Sequence, residues 1–503
     1  MRKFLCSLLS ILLFCCLIKT GFPQERTQIR ILNSNSLEMS KSIGSELKRL
    51  IGDVELQHED IFIYCDSAYL YEDKNLIEAY SNVYIKQGDT LHLYGDFLRY
   101  KGDIKLAEIR RNVRLVDKET ELFTEFLDYN VNEEFGFYFN GGKIYNGENI
   151  LESKLGYYYA NQKLFFFRDS VKIINPDYTI YSDTLKYNTV SEISYFLGPT
   201  EIISDSSYIY CENGWYNTKT DISQFNQNAY LISKEQTVKG DSLYYDRNRG
   251  FGKAFKNVEL IDTAQQIILK GNYAEYYEEP EKTMITDSAL FIQITNGDSL
   301  FVHADTLRSR LDSTNTHKIL SAYFKVKMYK KDFQGKCDSM SYSFRDSVIQ
   351  LYGDPALWSD ENQLTSEYIE IHTKQNKLDY LELFRSAFII SQEDSIRFNQ
   401  IKGKNMTGYF KNGELVKIDV KGNGQTIYFP KDENEIIGVN HVESSDITLF
   451  LKNKEIIKIY FRTKPGGTLN PLYDTTGSEM KFKDFKWLEK SRPKSMIDIF
   501  EWK

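Results

Sequence analysis

At thirteen places along this chain an acid, an amide or a lysine usually follows a small residue and precedes an aromatic by four: Asp66, Asp96, Glu125, Lys154, Asp183, Glu212, Asp241, Asn272, Asp305, Asp338, Glu367, Asn405 and Asp446. Recurrent carboxylates could supply the acid and base of a hydrolase. A catalytic pair is needed once, however, whereas this residue returns in nearly every unit and gives way to Lys154, Asn272 and Asn405. The position reads instead as a strand corner, where an Asp or Asn side chain satisfies nearby backbone N–H groups.

Two tetrapeptides, Gly240-Asp241-Ser242-Leu243 and Gly297-Asp298-Ser299-Leu300, match the serine motif of GDSL esterases, and Gly88-Asp89-Thr90-Leu91 comes close. A nucleophilic serine needs a base such as His, and the first copy lies on the recurring corner itself, so these are parts of the repeat. The six histidines, His58, His92, His303, His317, His372 and His441, show no metal-ligand spacing to one another or to cysteine. No metal, cofactor or catalytic residue is expected. Beyond the N-terminal segment, Cys65, Cys211 and Cys337 all occupy the small slot one residue before the corner, which Gly95, Ser182, Gly240, Gly271 and Ala304 fill elsewhere. They read as small buried side chains, too far apart in the series to pair.

The elements that would carry these residues are strands. Tyr 36 and Phe 32 against Pro 9 favour β structure. A formal net charge of -8, with both signs interspersed, argues against nucleic acid. Arg2 and Lys3 precede an apolar run from Phe4 to Ile18, the layout of a cleaved export signal over residues 1–21. Cys15 and Cys16 end that run, but Phe14 stands where a lipidation motif wants a small residue. No later segment approaches the length of a membrane helix.

The corner positions step by 29 to 33 residues and by 38 and 41 at the end, so the chain is a repeat of about 29 residues. A second landmark follows each corner by 17 residues, as in Val83-Tyr84-Ile85, Val113-Arg114-Leu115, Val171-Lys172-Ile173 and Val258-Glu259-Leu260, with the alternation of a half-buried strand. Pieces such as Phe135 to Phe139 and Leu164 to Phe166 lie between, giving about three short strands per unit and negligible helix. Apolar residues stand three before the corner and two and four after it, so the inward parity slips there, as at a bulge. Stacked units would bury one continuous core across residues 22–464, and residues 465–503, with Trp487 and Trp502, leave the pattern as a tail that is either disordered or a docking segment.

Gly52-Asp53-Val54-Glu55-Leu56-Gln57 followed by Ile61-Phe62-Ile63-Tyr64-Cys65-Asp66, and Asn257-Val258-Glu259-Leu260 followed by Ile268-Leu269-Lys270-Gly271-Asn272, resemble the strand and acidic corner of the OstA-like (LptA-type) domain, shared with LptC and the N-terminal part of LptD. The likeness runs from about residue 31 to 460. It implies an all-β, elongated repeat β-jellyroll whose apolar interior shelters the acyl chains of lipopolysaccharide, and protomers joined through edge strands. The interior candidates are Ile63, Val83, Leu93, Val113, Leu122, Val171, Ile180, Ile209, Val238, Val258 and Leu269. The long C-terminal run of amphipathic strands of an outer-membrane barrel is lacking.

The expected protein is therefore a non-catalytic lipopolysaccharide carrier or bridge of the periplasm, with association to the outer membrane as a further option. Its expected partners are lipid A acyl chains and other transport proteins, with head-to-tail self-association open. Two other classes stand beside it: a structural or adhesive envelope repeat without a ligand, and a β-helical polysaccharide-active enzyme.

Overall fold

The computed structural model describes residues 27–39, 47–89, 91–295, 298–375, 377–411, 413–433, 435–453, 455–475, 477 and 479–502. The expected export signal, Thr90 and Gly297 lie outside them. The chain divides into two units, Met1–Leu197 and Gly198–Lys503. Both are built from antiparallel strands, and the described residues contain no α-helix, only short 3-10 turns such as Gly102–Ile104 and Arg247–Arg249. Among the described residues no helix is long and apolar enough to cross a membrane.

Each repeat is a pair of long strands rather than three short ones. In the first unit Leu76–Gln87 pairs with Leu91–Lys101, and Leu106–Asp117 with Thr120–Asn130. The expected middle piece and the valine landmark are the two halves of one strand, as Leu164–Ile174 shows. A two-residue break that reads as a turn in sequence is a bend within a continuous strand. The repeats around Phe135–Tyr138 and Gly142–Asn146 and around Val348–Tyr352 and Ala356–Ser359 are split into separate pieces.

The bend is a β-bulge with consecutive left-handed residues: Ser81 and Asn82 (φ 63 and 50), Arg111 and Asn112 (φ 64 and 49), Lys256 and Asn257 (φ 54 and 50). Asn tolerates this conformation better than most side chains. Tyr80 and Val83 face Phe97 and Gly95, so the extra residue belongs to the left-handed strand and not to the strand carrying the acid. The acid ties the neighbouring strands together at this corner. Asn82 Nδ2 donates to Asp66 Oδ2 at 2.8 Å, Asn112 Nδ2 to Asp96 Oδ2 at 2.6 Å, Asn228 Nδ2 to Glu212 Oε1 at 2.9 Å and Asn257 Nδ2 to Asp241 Oδ1 at 3.1 Å. Where the acid is replaced by Lys154 the polarity is reversed, and its Nζ meets Asp169 at 3.2 Å.

The slot before the acid is small because the bend brings a neighbour close. A Cβ on Gly95 would lie 2.5 Å from Ile109 Cγ2, and one on Gly271 2.5 Å from Ile285 Cγ2. Cys65, Cys211 and Cys337 in that slot are buried and free.

The end of the chain is ordered against the second unit. Glu455–Arg462 and Gly466–Asn470 flank left-handed Thr463 and Lys464 and pair with the two halves of Val439–Lys452, so the repeat continues through Asn470. The tail then runs back over the outward face of the later strands. Phe482, Phe485 and Trp487 pack on Phe388, Ile390 and Phe398. Buried glutamines hold it by both ends of their amides. Gln400 donates to Met480 O at 2.9 Å and accepts from Phe482 N at 3.0 Å. Gln363 donates to Lys486 O at 2.7 Å and accepts from Leu488 N at 2.6 Å. Farther along, Arg492 Nε donates to Gln334 Oε1 at 2.9 Å, and the Phe500 ring lies 4.6 Å from that of His303. The tail is an intramolecular cover.

Candidate functional site

Alternation along the strands sends one set of side chains inward, and in the first unit that set forms a continuous cross-strand row. Leu56 faces Ile63, then Ile85, Leu93, Leu115, Leu122, Ile144, Leu151, Ile173 and Ile180. All are buried. Val83, Val113 and Val171 sit one step nearer the corner, opposite Gly95, Thr124 and Ser182. They too are buried, so every first-unit candidate points into the interior.

A similar row crosses the second unit from Ile209 through Leu231, Val238, Leu260 and Leu269 to Phe291. Its beginning differs: Ile209, Leu231, Val238 and Leu260 are only half-buried, whereas Leu269 is buried and Phe291 fully so. Val258, at the corner opposite Gly271, is buried.

The hydroxyl of the repeat's tyrosine also finds different partners in the two stretches. In the first unit it reaches from one half of the bent strand pair to the other. Tyr100 OH lies 2.7 Å from His58 Nδ1, and Tyr158 OH donates to Asp117. Both rings are buried, and burial pushes both phenols above their ordinary range, with Asp117 adding to the shift at Tyr158. Tyr342 does the same late in the second unit, with Gln293 and Thr373 as partners. At the beginning of the second unit the tyrosines instead bond to turns of their own half: Tyr216 OH to Asp221 Oδ1 at 2.8 Å and Tyr245 OH to Glu278 Oε2 at 3.3 Å. The apolar row is half-exposed in the stretch where Tyr216 and Tyr245 make these contacts. The +4 aromatic was legible in the sequence, but the direction of its hydroxyl was not.

A separate, open groove on the outside of the first unit is lined by Tyr94, Arg114, Phe123, Lys143, Glu152 and Lys154. Val113 of the interior set also borders it.

Comparison with known families matches residues 26–183 and 179–241 to the model "OstA-like protein" and residues 292–377 to the model "LptA/(LptD N-terminal domain) LPS transport protein". The chain belongs to the OstA-like, LptA-type family. The matches to this OstA-like protein take in the first unit, the half-open row as far as Val238 and part of the later repeats, and they end before the tail. A crystal structure of LptH, the LptA-homologous periplasmic component of the lipopolysaccharide transport device of Pseudomonas aeruginosa, aligns with 11% identity over 28% of this chain and 95% of that one, with a TM-score of 0.22. No curated protein matches.

Proposed function

We propose that this OstA-like protein binds lipopolysaccharide by its acyl chains and acts as a periplasmic bridge in its transport, with Ile209, Leu231, Val238 and Leu260 as the stretch that admits lipid. The carrying observation is that this row is continuous in register yet half-buried. Membership of a lipopolysaccharide-transport family supplies the ligand class. Burying apolar surface stabilises by about 25 cal/mol per Å², so acyl chains gain by covering these residues without a polar contact. The fully buried members Ile63, Val83, Leu93, Val113, Leu122, Val171, Ile180, Val258 and Leu269 then continue the lining and hold the halves together. The basic and apolar N-terminal segment is consistent with export.

Photo-crosslinking amino acids at Ile209 and Val238 should capture lipopolysaccharide in cells, while the outward positions Lys186 and Glu259 should not. Capture at the outward positions alone would overturn the interior as the binding surface. Lipid extraction of the purified protein followed by mass spectrometry checks the ligand independently, and a lipid-free protein would favour a purely structural repeat.

A further inference from the structure

We propose that Glu370, His372 and Glu382 form a binding site for one divalent transition-metal cation, with Zn²⁺ the best fit, on the outward face of the second unit. Glu370 and His372 stand two apart in the strand Tyr368–Lys374, so their side chains leave the same face. Glu382 is directly opposite Glu370 in the neighbouring strand Lys377–Gln392. One ligand atom from each of the three lies within 4.8 Å of the others. The set is two carboxylate oxygens and an imidazole nitrogen, a donor combination suited to zinc.

The separations favour a shared cation over direct hydrogen bonds. His372 Nε2 is 3.4 Å from Glu370 Oε2 and 3.5 Å from Glu382 Oε2. Charge-assisted N–H···O bonds run at about 2.7–2.9 Å. Two ligands each about 2.1 Å from a tetrahedral zinc stand about 3.4 Å apart. The His372 Nε2 atom is buried and has no hydrogen-bond partner, a costly state for a polar atom that a cation between the carboxylates would relieve. Glu370 and Glu382 also face each other across the strands, where two like charges repel unless a cation lies between them.

The surroundings hold the ligands in place. Tyr368 OH and Gln350 Nε2, the latter at 3.0 Å, both donate to Glu370 Oε1, which leaves Oε2 directed at His372. The His372 ring is stacked on Tyr380, with centroids 4.1 Å apart and planes 10° from parallel. Outer contacts of this kind fix ligand orientation at metal sites. Each strand contributes at least one ligand, and the cation would pin the two together.

The test uses the full chain, stripped with a chelator, dialysed and titrated with zinc chloride by calorimetry at neutral pH. One equivalent should bind and raise the melting temperature. His372→Gln and Glu382→Gln should each weaken binding by about tenfold or more and abolish the rise in melting temperature. Their strand signal in circular dichroism should be unchanged, because the site faces outward. Cobalt chloride should give visible absorption bands with the parent protein and not with His372→Gln. The absence of stoichiometric binding, or equal affinity in both variants, would overturn the proposal.

Discussion

Cys65, Cys211 and Cys337 occupy the tightest slot of the repeat, and burial makes their thiols weak acids. Cys65 and Cys211 are pushed up to about 12 from an ordinary 9.0, and Cys337 is raised as well. Thiolate is the reactive form, so a thiol reagent at pH 8 should label the folded protein far more slowly than the denatured protein. Equal rates would show that the slots open readily. The same burial sets an alkaline limit on stability. Above the ordinary thiol value the unfolded chain gives up protons that the folded chain keeps, so the unfolded state holds fewer protons and stability falls as pH rises. The buried phenols of Tyr100, Tyr129 and Tyr138, raised by desolvation, continue the loss above their ordinary 10.0. Melting temperatures measured from pH 7 to 11 should decline once pH passes about 9. At this scale the sequence was legible where a residue recurs: the small slot and the acidic corner are visible by repetition. Partners such as Asn82 for Asp66 could be counted off but not assigned, because the bend lies in the next strand.

The bent strand is the element on which the fold depends, and its continuity was the least legible feature. Left-handed pairs such as Arg111 and Asn112 resemble loop residues, so one long strand was read as two short ones. The direction of the inward residues survived that error, because alternation on each side of the bend is independent of what joins the halves. The tail was illegible for a different reason: its partners are more than eighty residues away in sequence, from Gln400 to Phe482 and from Gln363 to Leu488. Its mode of attachment gives a prediction. Replacing Gln363 and Gln400 together by Ala removes the four hydrogen bonds they make to the tail and leaves tail backbone groups unpaired. Each net loss is about 0.5–1.5 kcal/mol, more where a group remains buried. Limited proteolysis should then cut within residues 471–502 at least several-fold faster while the repeats stay resistant. Unchanged cleavage would mean that the aromatic contacts of Phe482, Phe485 and Trp487 suffice alone.

Among the described residues, one strand edge open to other chains lies at the start of the first unit and another at the end of the second. The first, Arg30–Asn33 with Ser36–Met39, exposes Leu32 and Leu37 and has neither proline nor lysine in it. The last, Glu455–Arg462 with Gly466–Asn470, carries Lys458 and is interrupted by Lys464 and Pro465. Charges and proline blunt an edge, so the first edge is expected to dock transport partners by strand addition. The tail crosses the outward face of earlier strands. Ile31→Pro should lower the recovery of envelope partners in a pull-down, whereas deletion after Asn470 should not. The reverse result would move docking to the tail. The cover also has a consequence for timing. A ribosome makes the tail after the strands it lies on, so Phe388, Ile390, Phe398 and Ile427 wait bare until the last residues arrive. Any chain broken off early keeps that adhesive face on show. The closing segment therefore doubles as a mark of completion, by which chaperones and proteases could tell a finished molecule from a fragment.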